Sequence, residues 1–466
     1  MLQRIKIDKL RKWKSKHNRK PLIIRGARQV GKTTLVNMFA PEFDFFISLN
    51  LELKRDRDIF EQHDDISTIL QLLFIREGRN PGKGQSLLIF IDEIQNSPKA
   101  VALLRYFYEE KPEIHIIATG SLLESLLSKQ ISYPVGRVEY LFLHPLNFEE
   151  FLMAYGNERA LEVFHSVPFP DYGHDVLSKL FLEYLLIGGM PEIVEHYLNN
   201  KQIVELNPIF DALILTYLED VEKYAENQKQ KDIIRHIIQN AFLFAGQRIK
   251  FEGFAYSNYK SQDVGACFRI LEKTFLLKLV YPTTKNMVPI VEDKKKSPRL
   301  QVLDTGIINK LAGLQTDLLN STLIDSVYEG KVAEHIVGQE LISLQKSTLS
   351  KTVFWVKEKK QSNAEIDFVL AKNNLIIPIE VKAGKTGRLR SLMEFMDLAP
   401  HQYAVRIYSG NLKIDKIKTI KGKPFYLLNL PFYLTAKIDE YLKILMEHQA
   451  VAYSQYFPNN DKTELK

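Results

Sequence analysis

Between residues 21 and 145 the chain alternates short, nearly uninterrupted apolar runs with polar stretches that carry helix spacing. The runs fall at 21–25, 45–51, 86–91, 114–118 and 138–143 and are rich in Ile, Leu and Phe. Strands covered by helices on both faces of a parallel sheet read this way. The intervals, 33–39 and 99–108 among them, read as helices, so an α/β layered domain is expected over 1–150. From 151 to 285 the pattern is mostly helical, with apolar residues three and four apart at 147–155, 176–186 and 231–244. Within it, 264–273 reads as a helix and 276–281 as a strand. That order fits a helix-turn-helix with a short wing, and equally a small helical lid. Mixed α/β character returns over 286–445, with a helix at 329–344 and strands at 352–356, 364–370 and 375–382. Asn373-Asn374 supplies a turn, so the last two strands form a hairpin. Residues 446–466 are a polar tail.

Composition narrows the class. The chain has 466 residues, 45% hydrophobic and 26% charged, which excludes wholesale disorder. A single cysteine, Cys267, excludes an internal disulfide and a cysteine-based zinc site. No uncharged apolar run approaches the ~18 residues of a membrane span, and no apolar core follows the basic N-terminus, so a cytoplasmic protein away from membranes is expected. The net charge of +7 permits an anionic partner without demanding one. Residues 1–20 hold nine basic residues against Asp8. With Leu10 and Trp13 three apart, this is either a nucleic-acid face or a solvated helix packed through those two side chains.

Gly26-Ala27-Arg28-Gln29-Val30-Gly31-Lys32-Thr33 matches G-x-x-x-x-G-K-[ST] between a predicted strand and a predicted helix that opens at Thr34. Polyphosphate needs a dense array of donors, and a glycine-rich turn followed by a helix N-terminus supplies them. Lys32 reaches the β- and γ-phosphates in this reading, and Thr33 ligates Mg²⁺. The run 86–91 ends in Asp92-Glu93, where two carboxylates at a buried strand end demand a use. Asp92 is the candidate for the Mg²⁺ shell and Glu93 for orienting the attacking water. Thr119 and Ser121 stand after a third strand as candidate sensors of the γ-phosphate, although Ser121 also reads as a helix cap. Arg137 is a candidate for stabilising transition-state charge, in its own subunit or a neighbour's, or else an ordinary surface ion pair.

These residues together resemble the AAA+ superfamily. More narrowly, the chain is similar to bacterial and archaeal predicted ATPases whose C-terminal half is a family of unknown function with a nuclease-like core. Ile24–Thr34 resembles that family's phosphate loop, and Phe90-Ile-Asp-Glu-Ile-Gln95 its metal and water motif. Gly120-Ser-Leu-Leu123, Gly136-Arg137 and His144-Pro-Leu-Asn-Phe-Glu-Glu-Phe151 resemble the end of the ATPase core. Further matches are Gly188-Gly-Met-Pro-Glu192, Leu303-Asp-Thr-Gly306 and Leu430-Pro-Phe-Tyr433. The resemblance implies ATP rather than GTP, and relatives that often act as rings admit a homo-oligomer.

A second acidic constellation lies on the predicted hairpin. Asp367, Glu380 and Lys382 fit the D-x(n)-E-x-K arrangement of the restriction-endonuclease-like fold. Two carboxylates there converge on Mg²⁺, and the lysine two residues on shares the glutamate's strand face. Such nucleases often add an acid from a preceding helix. Glu334 is the first choice and Glu340 the second. Lys385, Arg388 and Arg390 extend the stretch, as a phosphate path or a solvated helix start. The fold class expected is thus α/β: a P-loop, AAA+-like parallel-sheet domain, a helical or winged-helix middle and a nuclease-like C-terminal domain. The function expected is Mg²⁺-dependent ATP binding and hydrolysis coupled to a DNA-binding domain whose nuclease activity stays open. The alternatives are a nucleotide-gated switch with a non-catalytic protein-interaction module, and a metal-dependent nuclease with a merely regulatory nucleotide site.

Overall fold

The structure, a computed structural model, describes residues 2–120, 136–221, 225–313, 330–345, 351–358, 364–384 and 387–447. The chain forms two compact units, Met1–Pro145 with Arg269–Leu276, and Leu146–Phe268 with Leu277–Lys466.

The first unit is built on five parallel strands: β1 (Leu22–Arg25), β2 (Phe45–Asn50), β3 (Leu87–Asp92), β4 (His115–Thr119) and β5 (Glu139–Phe142). Each lies within one residue, at either end, of an apolar run in the sequence. The sheet order is β2-β3-β4-β1-β5, and every pairing is parallel. Every residue of β4 is buried, as are all but the last of β3, which is why these runs show no alternation. Ile47, Ile89, Ile91 and Ile116 pack with Leu104 and Phe107 of the helix Pro98–Glu110. That helix starts where the Ser97 side chain accepts from Ala100 N and Pro98 occupies the first turn. The basic N-terminal segment is a helix, Ile7–Lys14, packed through buried Leu10 and Trp13. Its charges are used locally: Arg11 pairs with Glu42 at 2.7 Å and Lys16 with Glu139 at 2.5 Å. The packed-helix reading therefore holds for these residues.

The second unit opens with helices, among them Phe148–Tyr155, whose start is a reciprocal capping box of Asn147 and Glu150. The helix His174–Ile187 is followed by Gly188-Gly189, where an added Cβ on Gly189 would stand 2.0 Å from Leu146 O. Strand β6 (Leu277–Val280) pairs antiparallel with β8 (Arg299–Val302), giving the helix Ser261–Lys273 a two-stranded ribbon after it. A seven-stranded mixed sheet follows, in the order β13-β14-β12-β11-β10-β9-β7. Its strands are β7 (Pro282–Thr283), β9 (Val353–Val356), β10 (Glu365–Lys372), β11 (Leu375–Val381), β12 (Tyr403–Tyr408), β13 (Lys413–Lys418) and β14 (Pro424–Pro431). The predicted hairpin is β10–β11, closed by Asn373 and Asn374 at φ 46° and 63°. Asparagine tolerates that left-handed conformation, which a two-residue hairpin turn needs at both central positions. The register of β10 on β9 shifts between Ile366 and Val369, the stretch that holds Asp367 and Phe368. The helix Arg390–Leu398 covers one sheet face through Leu392, Phe395 and Met396, packed with Trp355, Ile376 and Ala404.

Candidate functional site

The phosphate loop leaves β1 and turns sharply before the helix Lys32–Phe39. Gly26 sits where an added Cβ would meet Leu143 O at 2.1 Å, and Gly31 takes φ 88°. Both positions therefore require glycine. Gln29 is left-handed at φ 62°, a strained non-glycine conformation of the kind that collects at functional loops. The buried Lys32 ammonium folds back on the loop, donating to Gly26 O at 3.1 Å and Ala27 O at 2.8 Å. Burial pushes its pKa down, against the pull of Glu93 and Asp92. A cation held by two carbonyls in a dry loop is suited to an anionic ligand. Arg28 reaches Glu52 at 3.5 Å, while Ala27 and Val30 are buried in the loop wall. Thr34 follows on the first helical turn.

The two motifs meet. Thr33 Oγ1 donates to Asp92 Oδ2 at 2.7 Å, and the hydroxyl of buried Thr119 donates to Asp92 Oδ1. A hydroxyl and a carboxylate side by side suit Mg²⁺, which keeps several waters and needs only one or two protein oxygens beside the phosphates. Glu93 is left-handed at φ 51°, and the Gln95 amide donates to its carboxylate. Burial raises its pKa, opposed by the Gln95 bond and Lys32. Ser121 lies outside the described residues.

Arg137 stands elsewhere. β5 runs parallel to β1 with Glu139 beside Leu22, and the phosphate loop begins past Arg25, which lies beside Phe142. Arg137 is thus at the other edge of the sheet, five strand residues or roughly 16 Å back from the loop. It pairs with Glu109 at 2.9 Å. This placement sets it apart from the chain's own nucleotide site, and its contact here is the ordinary surface ion pair that the sequence also allowed.

One residue of this site carried no sequence signal. Buried Arg4 donates to Val30 O at 2.7 Å and to His144 O at 2.6 Å. It ties the phosphate loop to the chain leaving β5, across sequence separations that no local pattern reveals.

In the second unit, Glu334 on the helix Lys331–Ser343, Asp367 on β10, and Glu380 with Lys382 at the end of β11 come together. Lys382 Nζ bonds Glu380 Oε1 at 2.7 Å, and Asp367 Oδ2 accepts from Val381 N at 2.8 Å. Glu340 does not join them. It is buried among helices, accepting from Tyr184 Oη at 2.8 Å and Phe148 N at 3.1 Å. Arg390 pairs with Glu394 at 3.4 Å, and Lys385 lies outside the described residues. A fifth group was not foreseen. Arg299 on β8, 7% exposed, pairs with Glu334 Oε2 at 3.0 Å, with Glu365, and with Asp367 Oδ1 at 3.6 Å. It also donates to Asp367 O at 3.2 Å. Burial, together with the carboxylates' mutual repulsion, raises the pKa of Glu334 to about 8 and of Glu380 to about 7. The Mg²⁺ expected at Asp367 and Glu380 does not fit this arrangement. Asp367 Oδ2 and Glu380 Oε1 already accept from Val381 N and Lys382, and Arg299 stands beside Asp367 Oδ1, while Glu380 Oε2 is buried without a hydrogen-bond partner. Among the described residues no group of three His, Cys, Asp or Glu side chains is placed to hold a metal ion.

Residues 18–152 match the family model of an AAA domain. Residues 178–318 match one domain of unknown function (DUF8612) and residues 329–428 another (DUF4143). The first unit is accordingly a parallel-sheet α/β domain of the P-loop ATPase kind. No curated protein matches the chain. Among solved structures it is similar to the Walker-type ATPase of Pyrococcus abyssi, at 17% identity over 67% of this chain and 96% of that one, with a TM-score of 0.43. A signal-transduction ATPase with a tetratricopeptide-repeat sensor from Pyrococcus horikoshii matches at 15% identity over 74% of this chain and 46% of that one, TM-score 0.26. The Orc1 protein of Aeropyrum pernix, solved in complex with DNA, matches at 12% identity over 67% and 93%, TM-score 0.24. At these identities and TM-scores the three matches establish no partner or activity for this chain. Among the described residues no helix is long and apolar enough to cross a membrane.

Proposed function

We propose that the chain binds Mg²⁺-ATP at the loop 26–33 and hydrolyses it, as an AAA+-type ATPase coupled to a nuclease-like, DNA-binding C-terminal half. The observation that carries the nucleotide reading is the contact of two motifs distant in sequence. The Thr33 hydroxyl lies on the Asp92 carboxylate at 2.7 Å, at the strand ends where the phosphate loop opens. Open α/β sheets take ligands outside the carboxyl ends of their strands.

The roles follow from chemistry. Loop N–H groups and the N-terminal end of the helix Lys32–Phe39 bind the phosphates. Lys32 exchanges two carbonyls for β- and γ-phosphate oxygens. Thr33 and Asp92 hold Mg²⁺, which supplies charge neutralisation across the phosphates when bound. Thr119 fixes the Asp92 carboxylate. Glu93 orients a water towards the γ-phosphorus and takes its proton as the bond to the ADP oxygen breaks. Gln95 positions Glu93. Arg137 stays in its surface pair with Glu109 and has no role in the chain's own site.

The deciding experiment is phosphate release by the purified chain and by Lys32→Ala. Loss of turnover in a folded Lys32→Ala chain supports the reading, and undiminished turnover sinks it. For the C-terminal half, the support is the convergence of a helix and a strand hairpin on one acid cluster with Lys382 beside it. DNA binding that weakens steeply with salt is expected. Absence of binding at low salt selects the switch with a protein-interaction module instead.

A further inference from the structure

We propose that Arg299 is the resident cation of the C-terminal carboxylate cluster, standing where a divalent metal would otherwise sit. The inference rests on the cluster alone and is independent of the nucleotide site.

The guanidinium is a planar fork with five donors, suited to several carboxylates at once. Here it meets Glu334 Oε2 at 3.0 Å, Asp367 Oδ1 at 3.6 Å, Asp367 O at 3.2 Å and the Glu365 carboxylate. Its other side lies over the Phe354 ring, 4.9 Å from the centroid. Arg248 reinforces the arrangement, reaching Glu365 at 3.4 Å and the same ring at 5.5 Å. Glu380, the remaining acid, has Lys382 at 2.7 Å. Each of the four carboxylates therefore has a counter-cation, Glu380 through Oε1 alone, its Oε2 being buried without a hydrogen-bond partner.

Arg299 cannot leave cheaply. It is buried, and withdrawing it would leave buried Asp367 and half-buried Glu334 and Glu365 without their shared cation. Nor can it vacate by losing a proton, because a guanidinium stays charged at every working pH. It also comes from β8, well before the helix and hairpin that carry the acids. The cluster thus works as a clasp that joins β8 to the helix Lys331–Ser343 and to β10.

The test is Mn²⁺ binding to the full-length, nucleotide-free chain, followed by the electron paramagnetic resonance of free Mn²⁺. An Asp92→Asn background keeps the phosphate-loop metal seat out of the count. The expected result is no stoichiometric Mn²⁺ site at about 1 mM, with the titration unchanged by adding Asp367→Asn. Adding Arg299→Gln instead should open a site at least about tenfold tighter. A stoichiometric site present with Arg299 intact and lost in Asp367→Asn overturns the proposal. So does a folded Arg299→Gln chain that gains no affinity. Should Arg299→Gln fail to fold, the comparison with and without Asp367→Asn decides by itself.

Discussion

Glu93 holds a left-handed backbone, φ 51°, that costs a non-glycine residue roughly 1–3 kcal/mol. The strand end, the bond from Glu93 N to Asp92 Oδ1 at 3.0 Å and the Gln95 amide keep it there. Glu93→Gly should therefore stabilise the chain by about 1 kcal/mol in denaturant unfolding while abolishing turnover. No gain in stability would show the strain to be absorbed elsewhere. Because burial raises the Glu93 pKa and the ionised form is the one that takes the proton, turnover should fall as pH drops through that raised value. The acid limb of the pH–rate profile should lie above the ordinary glutamate range, and it should vanish in Glu93→Gln. Arg4 acts on binding rather than chemistry. Arg4→Ala should raise the Kd for ATP about tenfold, by loosening Val30, with kcat little changed and Arg4→Lys recovering part of the loss. Equal losses in kcat and affinity would point to general misfolding instead. Lys32, Thr33 and Asp92 were legible in the sequence because their signals are local runs. Arg4 and Arg299 were not, since each acts across a chain separation that leaves no spacing to read.

At the scale of elements, the apolar runs named all five strands of the first sheet: β1, β3 and β4 are buried almost throughout, while β2 and β5 keep apolar residues at part-exposed positions. The hairpin was legible because Asn373-Asn374 can adopt the turn it requires. What the pattern did not show was order within sheets: β1 lies between β4 and β5, and β14 lies between β12 and β13. The helix Lys331–Ser343 illustrates the limit. It presents Glu334 to the hairpin and Glu340, six residues on, to Tyr184 and Phe148 N, and periodicity alone left both acids open. Glu340 is fully buried, with its pKa pushed up to about 7 by desolvation. A carboxyl whose folded pKa is raised stabilises below its unfolded value and loses that contribution as pH rises through the folded one. Glu340→Gln should thus raise the Tm more at pH 8 than at pH 5. A gap that does not change with pH would mean the carboxyl is solvated.

Across the whole molecule the same sign recurs. Asp304 is raised to about 6 by full burial, and Glu334 and Glu380 shift in the same direction. Buried His335 is lowered to about 4, so its contribution is lost as pH falls from near 6.5 towards that value. The contribution of these acids to Tm should therefore fall as pH rises from 6 towards about 8, the highest of the raised values. A Tm that rises over that interval contradicts the burial of these acids as ionisable groups. The basic balance of the chain gives no such information, because much of the N-terminal excess is spent in packing the helix Ile7–Lys14. The central claim is that ATP is bound by one motif and hydrolysed through the other. The most direct measurement is ATP binding and single-turnover hydrolysis, side by side, in the wild-type chain and Glu93→Gln. The account predicts ATP affinity kept within a few-fold and hydrolysis slowed by about 10²-fold or more. Hydrolysis at the wild-type rate in Glu93→Gln would contradict it.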